Sequence, residues 1–142
     1  MTAAHRVWTF FYGSFMNAGV LAKADVHPEE RQAARLDGWA LAIAPHATLA
    51  PAPGGRVFGV LGRLTHEELD RLYAKDWFGF GRYLPEAVVA LDAADRPVPA
   101  LCYVAWESEG GRPTAEYVER ILEVAREYSF PEDYVRHIRS FL

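Results

Sequence analysis

Short strand-forming segments, each ended by glycine or proline, occupy most of this chain and constrain its fold more than any other feature. Residues 6–11, RVWTFF, and residues 56–64, RVFGVLGRL, are rich in β-branched and aromatic residues and predict strands. Residues 83–92 and 98–106 predict two more strands, joined by the turn AADRP into a hairpin. Pro85 must then lie at an edge or a bulge, because proline cannot donate to a strand ladder.

The segment between the first two strands is more irregular. Residues 17–34 mix Ala, Val and Leu with charged residues and predict short helical pieces around His27-Pro28. Residues 34–44 predict a turn at Asp37-Gly38 followed by a strand. Residues 45–55, PHATLAPAPGG, predict a loop without regular structure, since prolines and adjacent glycines interrupt pairing.

Three helices follow from capping and periodicity. Thr65 and Glu68 have the spacing of a capping box, which predicts that a helix begins there and ends before the glycines at 79 and 81. Residues 113–129 predict the clearest helix, with one apolar stripe formed by Tyr117, Ile121, Leu122, Ala125 and Tyr128. Pro131 predicts the start of a last short helix that runs to Leu142.

Length and composition bound the class of protein. The 142 residues, 51% hydrophobic and 24% charged, predict one folded domain over residues 1–142. A strand-rich body interrupted by helices predicts an α+β fold or mixed barrel rather than a βαβ repeat. The net charge of −4 and scattered cations argue against nucleic-acid binding, and no segment is long and apolar enough to predict a membrane span.

Cysteine and histidine usage favours a protein without disulfides or metals. Cys102 is the single cysteine, so no internal disulfide is possible, and a cytoplasmic location is expected. Its apolar neighbours predict a buried small hydrophobe rather than a nucleophile. The five histidines are far apart in sequence and show no metal-ligand spacing.

The first strand raises the question of function. The apolar run Val7–Phe11 breaks at once into Tyr12-Gly13-Ser14. Such a turn either simply ends the strand or brings backbone N–H groups up to a ligand. Local sequence alone leaves both interpretations open.

Three features in order carry a resemblance to a known family. They are FFYGSFMN (10–17), the run from ARLDGWALAIA to PEAVVAL (34–91), and PALCYVAW (99–106) followed by the helical segment 111–141. This order resembles the gamma-glutamylcyclotransferase family, also called the AIG2-like family, over nearly the whole chain. Each motif is common by itself, whereas their order and spacing together are specific.

The resemblance implies a small mixed β-barrel with flanking α-helices and an intramolecular reaction. In that family the α-amine of a γ-glutamyl group attacks its own γ-carbonyl, giving 5-oxoproline and a released amine or amino acid. The expected partner is a small molecule carrying a γ-glutamyl group, and no cofactor or metal is implied. The class of activity is a transferase or lyase.

The resemblance also implies site residues. Tyr12, Gly13 and Ser14 take the place of the turn that lines the pocket and offers N–H groups, and Phe15 stands where many members have Asn or Leu. The place of the family's catalytic glutamate is held by Asp76, with the following Tyr83 matching the tyrosine that opens the next strand. Tyr103 corresponds to a frequent pocket tyrosine, and strand alternation predicts that it faces away from Cys102 and Val104.

The sequence departs from the family pattern around the catalytic carboxylate. Asp is one methylene shorter than Glu, and Trp77 stands where a glycine is common. The aromatic residues of the segment Trp77-Phe78-Gly79-Phe80 would reshape the pocket and favour apolar or aromatic leaving groups. Three alternatives follow: Asp76 is the acid and base, another carboxylate such as Glu86 or Glu107 replaces it, or the domain is a small-molecule-binding or interaction module that catalyses little.

Overall fold

The protein is a closed five-stranded β-barrel with helices packed around it. The computed structural model describes residues 5–73, 83–106 and 110–142. The order of strands around the barrel is β1-β3-β2-β4-β5. The strands are β1 (Arg6–Phe11), β2 (Glu29–Ile43), β3 (Ala47–Thr65), β4 (Tyr83–Asp92) and β5 (Pro97–Ala105). This architecture confirms the predicted α+β class and mixed barrel.

β1 joins the two halves of the barrel. It pairs antiparallel with β3 from Arg6↔Thr65 to Phe11↔Val60, and parallel with β5 at Thr9↔Leu101. Phe10 is fully buried, as expected for the aromatic residues of a central strand. The predicted strand at 6–11 is confirmed with the same boundaries.

The long hairpin of β2 and β3 corrects two predictions. Residues 29–34 are strand, so the helical prediction holds only for α1 (Ala18–Lys23), and residues 47–55 are strand instead of loop. The proline and glycine signals have a local effect only: β3 residues 52–55 bulge out between the pairs Asp37↔Arg56 and Trp39↔Pro51. The predicted turn at Asp37-Gly38 is likewise a bulge, where Gly38 adopts a φ of +88° within a continuous strand.

The predicted hairpin of β4 and β5 is confirmed. The two strands pair antiparallel from Tyr83↔Ala105 to Leu91↔Pro97. The carboxylate of Asp92 accepts hydrogen bonds from the N–H groups of Ala94 and Arg96 and so fixes the connecting turn. Within the described part of the chain, Pro85 pairs only with β5, which agrees with its predicted edge position.

The helices cover the barrel. They are α1, α2 (His66–Tyr73), α3 (Ala115–Glu127) and α4 (Glu132–Arg139). α3 buries Ile121, Leu122 and Ala125 as predicted, whereas the stripe's end residues Tyr117 and Tyr128 are only partly buried. α4 starts after Pro131 as predicted but ends at Arg139, so the prediction of a helix up to Leu142 is wrong. No helix among the described residues has the length and apolar character needed to cross a bilayer.

The capping box of α2 is confirmed and does more than cap. Glu68 N–H donates to the Thr65 hydroxyl, and the Glu68 carboxylate accepts from the Thr65 N–H at 3.0 Å. The same carboxylate, nearly buried, accepts from the His27 N–H at 2.7 Å and from the Arg6 guanidinium at 3.1 Å. One side chain therefore ties α2 to β1 and to the segment that enters β2.

These contacts set the protonation of Glu68. Burial alone would raise the pKa of its carboxyl group, but the backbone hydrogen bonds from Thr65 and His27 and the charge of Arg6 outweigh burial and lower it. Because the folded-state pKa is lowered, the stabilisation is present above the ordinary carboxyl pKa and is lost as pH falls through the folded-state value.

Replacing Glu68 by Gln should lower the free energy of unfolding by about 2 kcal/mol at neutral pH, because several charge-assisted hydrogen bonds are lost. The difference in the free energy of unfolding between Glu68→Gln and wild type should become smaller as the pH is lowered. Urea unfolding over a pH series measures both effects. Glu67→Gln, in the same helical turn but exposed, is the matched control, and equal effects of the two variants would contradict the assignment.

Candidate active site

The turn after β1 lies at one end of the barrel. Tyr12 is buried, and Ser14–Met16 form a single 3-10 turn in which the Met16 N–H donates to the Gly13 carbonyl at 3.0 Å. The strand thus ends where the sequence predicted.

Gly13 permits the close approach of two strands. A Cβ atom at this position would lie 2.7 Å from the Cβ of Ala47, the first residue of β3, and 3.5 Å from the hydroxyl of Tyr117. Carbon atoms in contact prefer about 3.5–4.0 Å, so a side chain here would displace β3 or the turn. Glycine is required at this position because a side chain would not fit. Its φ of −115° is one that any residue can adopt.

Two tyrosine hydroxyls hold the backbone of Ala47. The Ala47 N–H donates to the Tyr117 hydroxyl oxygen at 2.8 Å, and the Tyr83 hydroxyl donates to the Ala47 carbonyl at 2.6 Å. Tyr117 comes from the first turn of α3, whose N-cap Thr114 accepts from the Tyr117 N–H. Tyr83 is the first residue of β4. The first turn of α3 and the start of β4 therefore meet at one residue of β3.

Ser14 and Gly13 differ in how their polar groups are used. Ser14 hydrogen-bonds the Tyr117 phenol through both its side chain and its backbone. In contrast, no described residue accepts a hydrogen bond from the Gly13 N–H. The Gly13 N–H is therefore a donor of this turn without an acceptor in the described part of the chain.

Tyr12, Tyr103 and Tyr73 form a second group of tyrosines, which links the turn to β5 and α2. The Tyr12 hydroxyl donates to the Tyr103 carbonyl at 2.6 Å, which ties the turn to β5. The Tyr103 ring stacks on Tyr73 at the end of α2, with ring centroids 3.7 Å apart and planes 7° from parallel. Cys102 and Val104 are buried and Tyr103 is partly exposed, which agrees with the predicted alternation.

Phe15 adds an aromatic surface to the turn. Its ring meets Tyr73 edge-to-face, with centroids 5.6 Å apart, and contacts Phe11 in the same way at 6.4 Å. Phe15 therefore packs against the end of α2 and against β1.

All five tyrosines around the turn are held as neutral phenols. Burial is the largest cause and raises the pKa of each of these tyrosines: Tyr12, Tyr73, Tyr83, Tyr103 and Tyr117. Neighbouring phenols raise the pKa of Tyr12, Tyr73 and Tyr83 further, and Asp70 does so for Tyr103. For Tyr117, hydrogen bonds with Ala47 and Ser14 offset part of the effect of burial on its pKa. At neutral pH they donate and accept hydrogen bonds but do not act as bases. A proton-transfer reaction at this site therefore needs another group.

The structure brings most of the predicted site residues together. Described residues at the turn and its walls are Tyr12, Gly13, Ser14, Phe15, Tyr83 and Tyr103. Asp76 and the segment Trp77-Phe78-Gly79-Phe80 lie outside the described residues, as does Glu107. Glu86 lies on the opposite face of β4 from Tyr83, where its carboxylate accepts from the Trp106 indole N–H at 3.0 Å.

Sequence reasoning missed Tyr117, Tyr73 and Ala47. Tyr117 was assigned to the core stripe of α3, and only the tertiary structure shows that its hydroxyl holds β3 and the turn. No group of three or more His, Cys, Asp or Glu within the described ranges is arranged to hold a metal ion.

Removing the Tyr117 hydroxyl should destabilise the turn. Tyr117→Phe leaves the buried Ala47 N–H without its acceptor, so we expect the free energy of unfolding to fall by about 1–3 kcal/mol. The matched control is Tyr128→Phe, at the C-cap of the same helix. Chemical denaturation measures both variants, and indistinguishable stabilities would contradict this role for Tyr117.

Cys102 should behave as a buried hydrophobe. Burial, with a smaller contribution from Glu86, raises the pKa of its thiol to about 12. We therefore expect native protein to resist iodoacetamide at mildly alkaline pH and to be alkylated after unfolding. Mass spectrometry follows the adduct, and rapid modification of native protein would contradict the assignment.

Comparison with solved structures shows the same fold in several proteins. A gamma-glutamyl cyclotransferase superposes with a TM-score of 0.83 at 19% identity, covering 97% of this chain and 89% of that one. YkqA from Bacillus subtilis has a TM-score of 0.78 at 25% identity, covering 96% of this chain and 55% of that one. A gamma-glutamyl cyclotransferase specific to glutathione from yeast has a TM-score of 0.67 at 13% identity, covering 94% of both chains.

Sequence comparison identifies the family. Among curated protein sequences, none matches this chain significantly. The family model of the AIG2-like family matches residues 56–138, more than half of the chain, from the second half of β3 to α4. The protein therefore belongs to the AIG2-like family.

Proposed function

We propose that this protein is a gamma-glutamyl cyclotransferase-type enzyme that releases 5-oxoproline from a small γ-glutamyl amide or peptide. The reaction would be intramolecular: the α-amine attacks the γ-carbonyl, the bond to the leaving nitrogen breaks, and an amine or amino acid departs. Support comes from membership of the AIG2-like family and from the geometry of the turn at Gly13.

One observation carries the proposal. Among the described residues none accepts a hydrogen bond from the Gly13 N–H, and neutral tyrosines hold the turn in which Gly13 lies. A preorganised N–H in partly dry surroundings stabilises the negative oxygen that develops when an amine adds to a carbonyl. Gly13 would bind the γ-carbonyl oxygen in this way.

The tyrosines would hold the substrate rather than move protons. Their raised pKa values keep them neutral, so they offer hydrogen bonds and apolar ring surface without charge. Curling the γ-glutamyl chain against such a surface brings the amine close to the γ-carbon, and pre-orienting two reacting groups supplies a large part of the acceleration in ring closures.

Asp76 would transfer the protons. The substrate ammonium must lose a proton before its nitrogen can attack, and the leaving nitrogen must gain one as its bond to carbon breaks. A single carboxylate between them can accept the first proton and donate it back, so the overall proton count is unchanged.

The positions of the two residues that flank the segment containing Asp76 are compatible with this role. Tyr73 and Tyr83, which flank the segment 74–82 in the chain, have ring centroids 6.4 Å apart and both belong to the site. Asp76 follows Tyr73 by three residues, and three residues span at most about 11 Å. The proposal therefore requires the Asp76 carboxylate to reach the turn at Gly13 within that distance of Tyr73. Aspartate is shorter than the family's glutamate, and the approach of the backbone would compensate for the missing methylene.

The aromatic surface would select the leaving group. Phe15 packs edge-to-face on Tyr73 beside the turn and presents no charge. We therefore expect γ-glutamyl compounds with apolar or aromatic leaving groups to be preferred over those with charged ones.

The test is 5-oxoproline release from a panel of γ-glutamyl amino acids and amines. Wild type should release 5-oxoproline from at least one of these compounds. Asp76→Asn should lower kcat/KM by about 10²- to 10⁴-fold, and Gly13→Ala should lower it by at least about 10²-fold. Asp133→Asn, an exposed aspartate on α4, is the matched control and should leave the rate unchanged.

The other outcomes are equally informative. Activity that appears only in Asp76→Glu would mean that the site binds substrate but that the aspartate is too short. Activity unaffected by Asp76→Asn would contradict the assignment of the acid and base. If neither wild type nor Asp76→Glu released 5-oxoproline from any compound of the panel, the proposed enzymatic activity would be contradicted and a binding module would be favoured.

A further inference from the structure

His46 is a titratable side chain beside the turn to which the proposed reaction gives no role. It directly precedes Ala47, and consecutive Cα atoms lie about 3.8 Å apart. Its imidazole packs edge-to-face on the ring of Tyr117, with ring centroids 5.4 Å apart and planes 79° apart. The Tyr117 hydroxyl in turn lies 3.5 Å from the position of a Cβ atom at Gly13. His46, Tyr117 and Gly13 are therefore successive neighbours in space.

The backbone that carries His46 is fixed on both sides. The Ala44 N–H donates to the His46 carbonyl at 3.2 Å, within the connection between β2 and β3. After His46, tyrosine hydroxyls hold both backbone groups of Ala47. The Thr48 hydroxyl then donates to the Ala105 carbonyl at 2.6 Å and accepts from the Ala105 N–H at 3.1 Å. The half-buried imidazole therefore extends from a backbone whose place relative to the turn is set.

A γ-glutamyl substrate carries a charge that the tyrosines around the turn do not match. Its α-carboxylate takes no part in ring closure and stays negative from substrate to product. Moving a carboxylate out of water is costly unless it is paired or hydrogen-bonded. The hydroxyls of Tyr12 and Tyr83 already donate to backbone carbonyls. Recognition of the α-carboxylate therefore needs a further donor, and one that can carry positive charge binds most strongly.

Arg31 also brings a positive charge to the turn, but at its other end. Its guanidinium donates to the Met16 carbonyl, and its Cζ atom lies 5.7 Å from the ring centroid of Tyr128. Tyr128 is the C-cap of α3, whereas Tyr117 lies in the first turn of that helix. About three helical turns separate the two tyrosines. His46, on the side of Tyr117, is therefore better placed than Arg31 for a ligand at Gly13.

We propose that His46 binds the α-carboxylate of the γ-glutamyl group and so selects for ligands that carry it. The inference rests on the proposed function, which places the γ-carbonyl oxygen at Gly13. When the γ-glutamyl chain curls for ring closure, the γ-carbon and the α-carbon lie on either side of the attacking nitrogen. A ligand held by its γ-carbonyl oxygen therefore keeps its α-carboxylate close to the turn, where His46 packs.

The chemistry of imidazole suits this role. A neutral imidazole donates from one ring nitrogen and a protonated imidazole from both, and a neighbouring carboxylate favours the protonated form. The ring thus supplies the countercharge when the carboxylate arrives. His46 is a binding residue in this account and transfers no proton to or from the reacting nitrogens.

Binding of two matched ligands tests the assignment without any catalysis. They are 5-oxoproline, which keeps the α-carboxylate, and its carboxamide, in which a neutral amide replaces only that group. Calorimetry at mildly acidic pH should show wild type binding 5-oxoproline at least about tenfold more tightly, as expected for a hydrogen bond between charged groups. His46→Ala should bind both ligands as weakly as wild type binds the carboxamide. His27→Ala, at an exposed histidine paired with Asp25, is the matched control and should keep the preference.

NMR of the histidine side chains tests the same contact in wild type. Addition of 5-oxoproline should shift the imidazole resonances of His46 saturably, the carboxamide should shift them much less at equal occupancy, and His27 should respond to neither. Equal affinity of wild type for both ligands, a preference that persists in His46→Ala, or His46 resonances that do not respond would overturn this role and leave the proposed reaction standing. If wild type bound neither ligand, the proposed function would be contradicted together with it.

Discussion

The backbone of Ala47 makes the contacts on which the site depends. Tyr117 accepts from its N–H, Tyr83 donates to its carbonyl, and its Cβ lies against Gly13 so closely that no side chain fits there. α3, β4 and the end of β1 are thereby fixed relative to β3. Because these elements are far apart in sequence, the turn after β1 takes its shape from the whole barrel rather than from its own residues.

This contact also gives the site its chemical character. The tyrosines that hold the backbone are wholly or partly buried, and burial keeps them neutral, so the surroundings of the turn are polar without being charged. Ser14 hydrogen-bonds Tyr117, whereas the Gly13 N–H has no acceptor among the residues that the structure describes. Such a site can stabilise a developing oxyanion but cannot itself remove a proton, which is why the proposed reaction needs a carboxylate.

Local signals predicted the local structure well. The strand at 6–11 and its break at Gly13, the capping box of Thr65 and Glu68, and the hairpin around Asp92 all depend on neighbouring residues, and all are confirmed. The prediction of a loop over residues 45–55 was wrong because Pro53, Gly54 and Gly55 lie in a local bulge opposite Gly38, which only the pairing of β3 with β2 reveals. Tyr117 was missed for a related reason: its apolar ring fits a helical stripe, and its hydroxyl finds partners only in the folded barrel.

Titration of isotope-labelled protein with 5-oxoproline, followed by amide NMR, tests the central claim most directly. The lactam carbonyl of this product is the former γ-carbonyl, so it should occupy the place of the oxygen that Gly13 would bind. The account predicts a saturable downfield shift of the Gly13 amide, with smaller changes at Ala47 and none at Leu142. A Gly13 amide that does not move, or binding that perturbs only residues away from the turn, would contradict it.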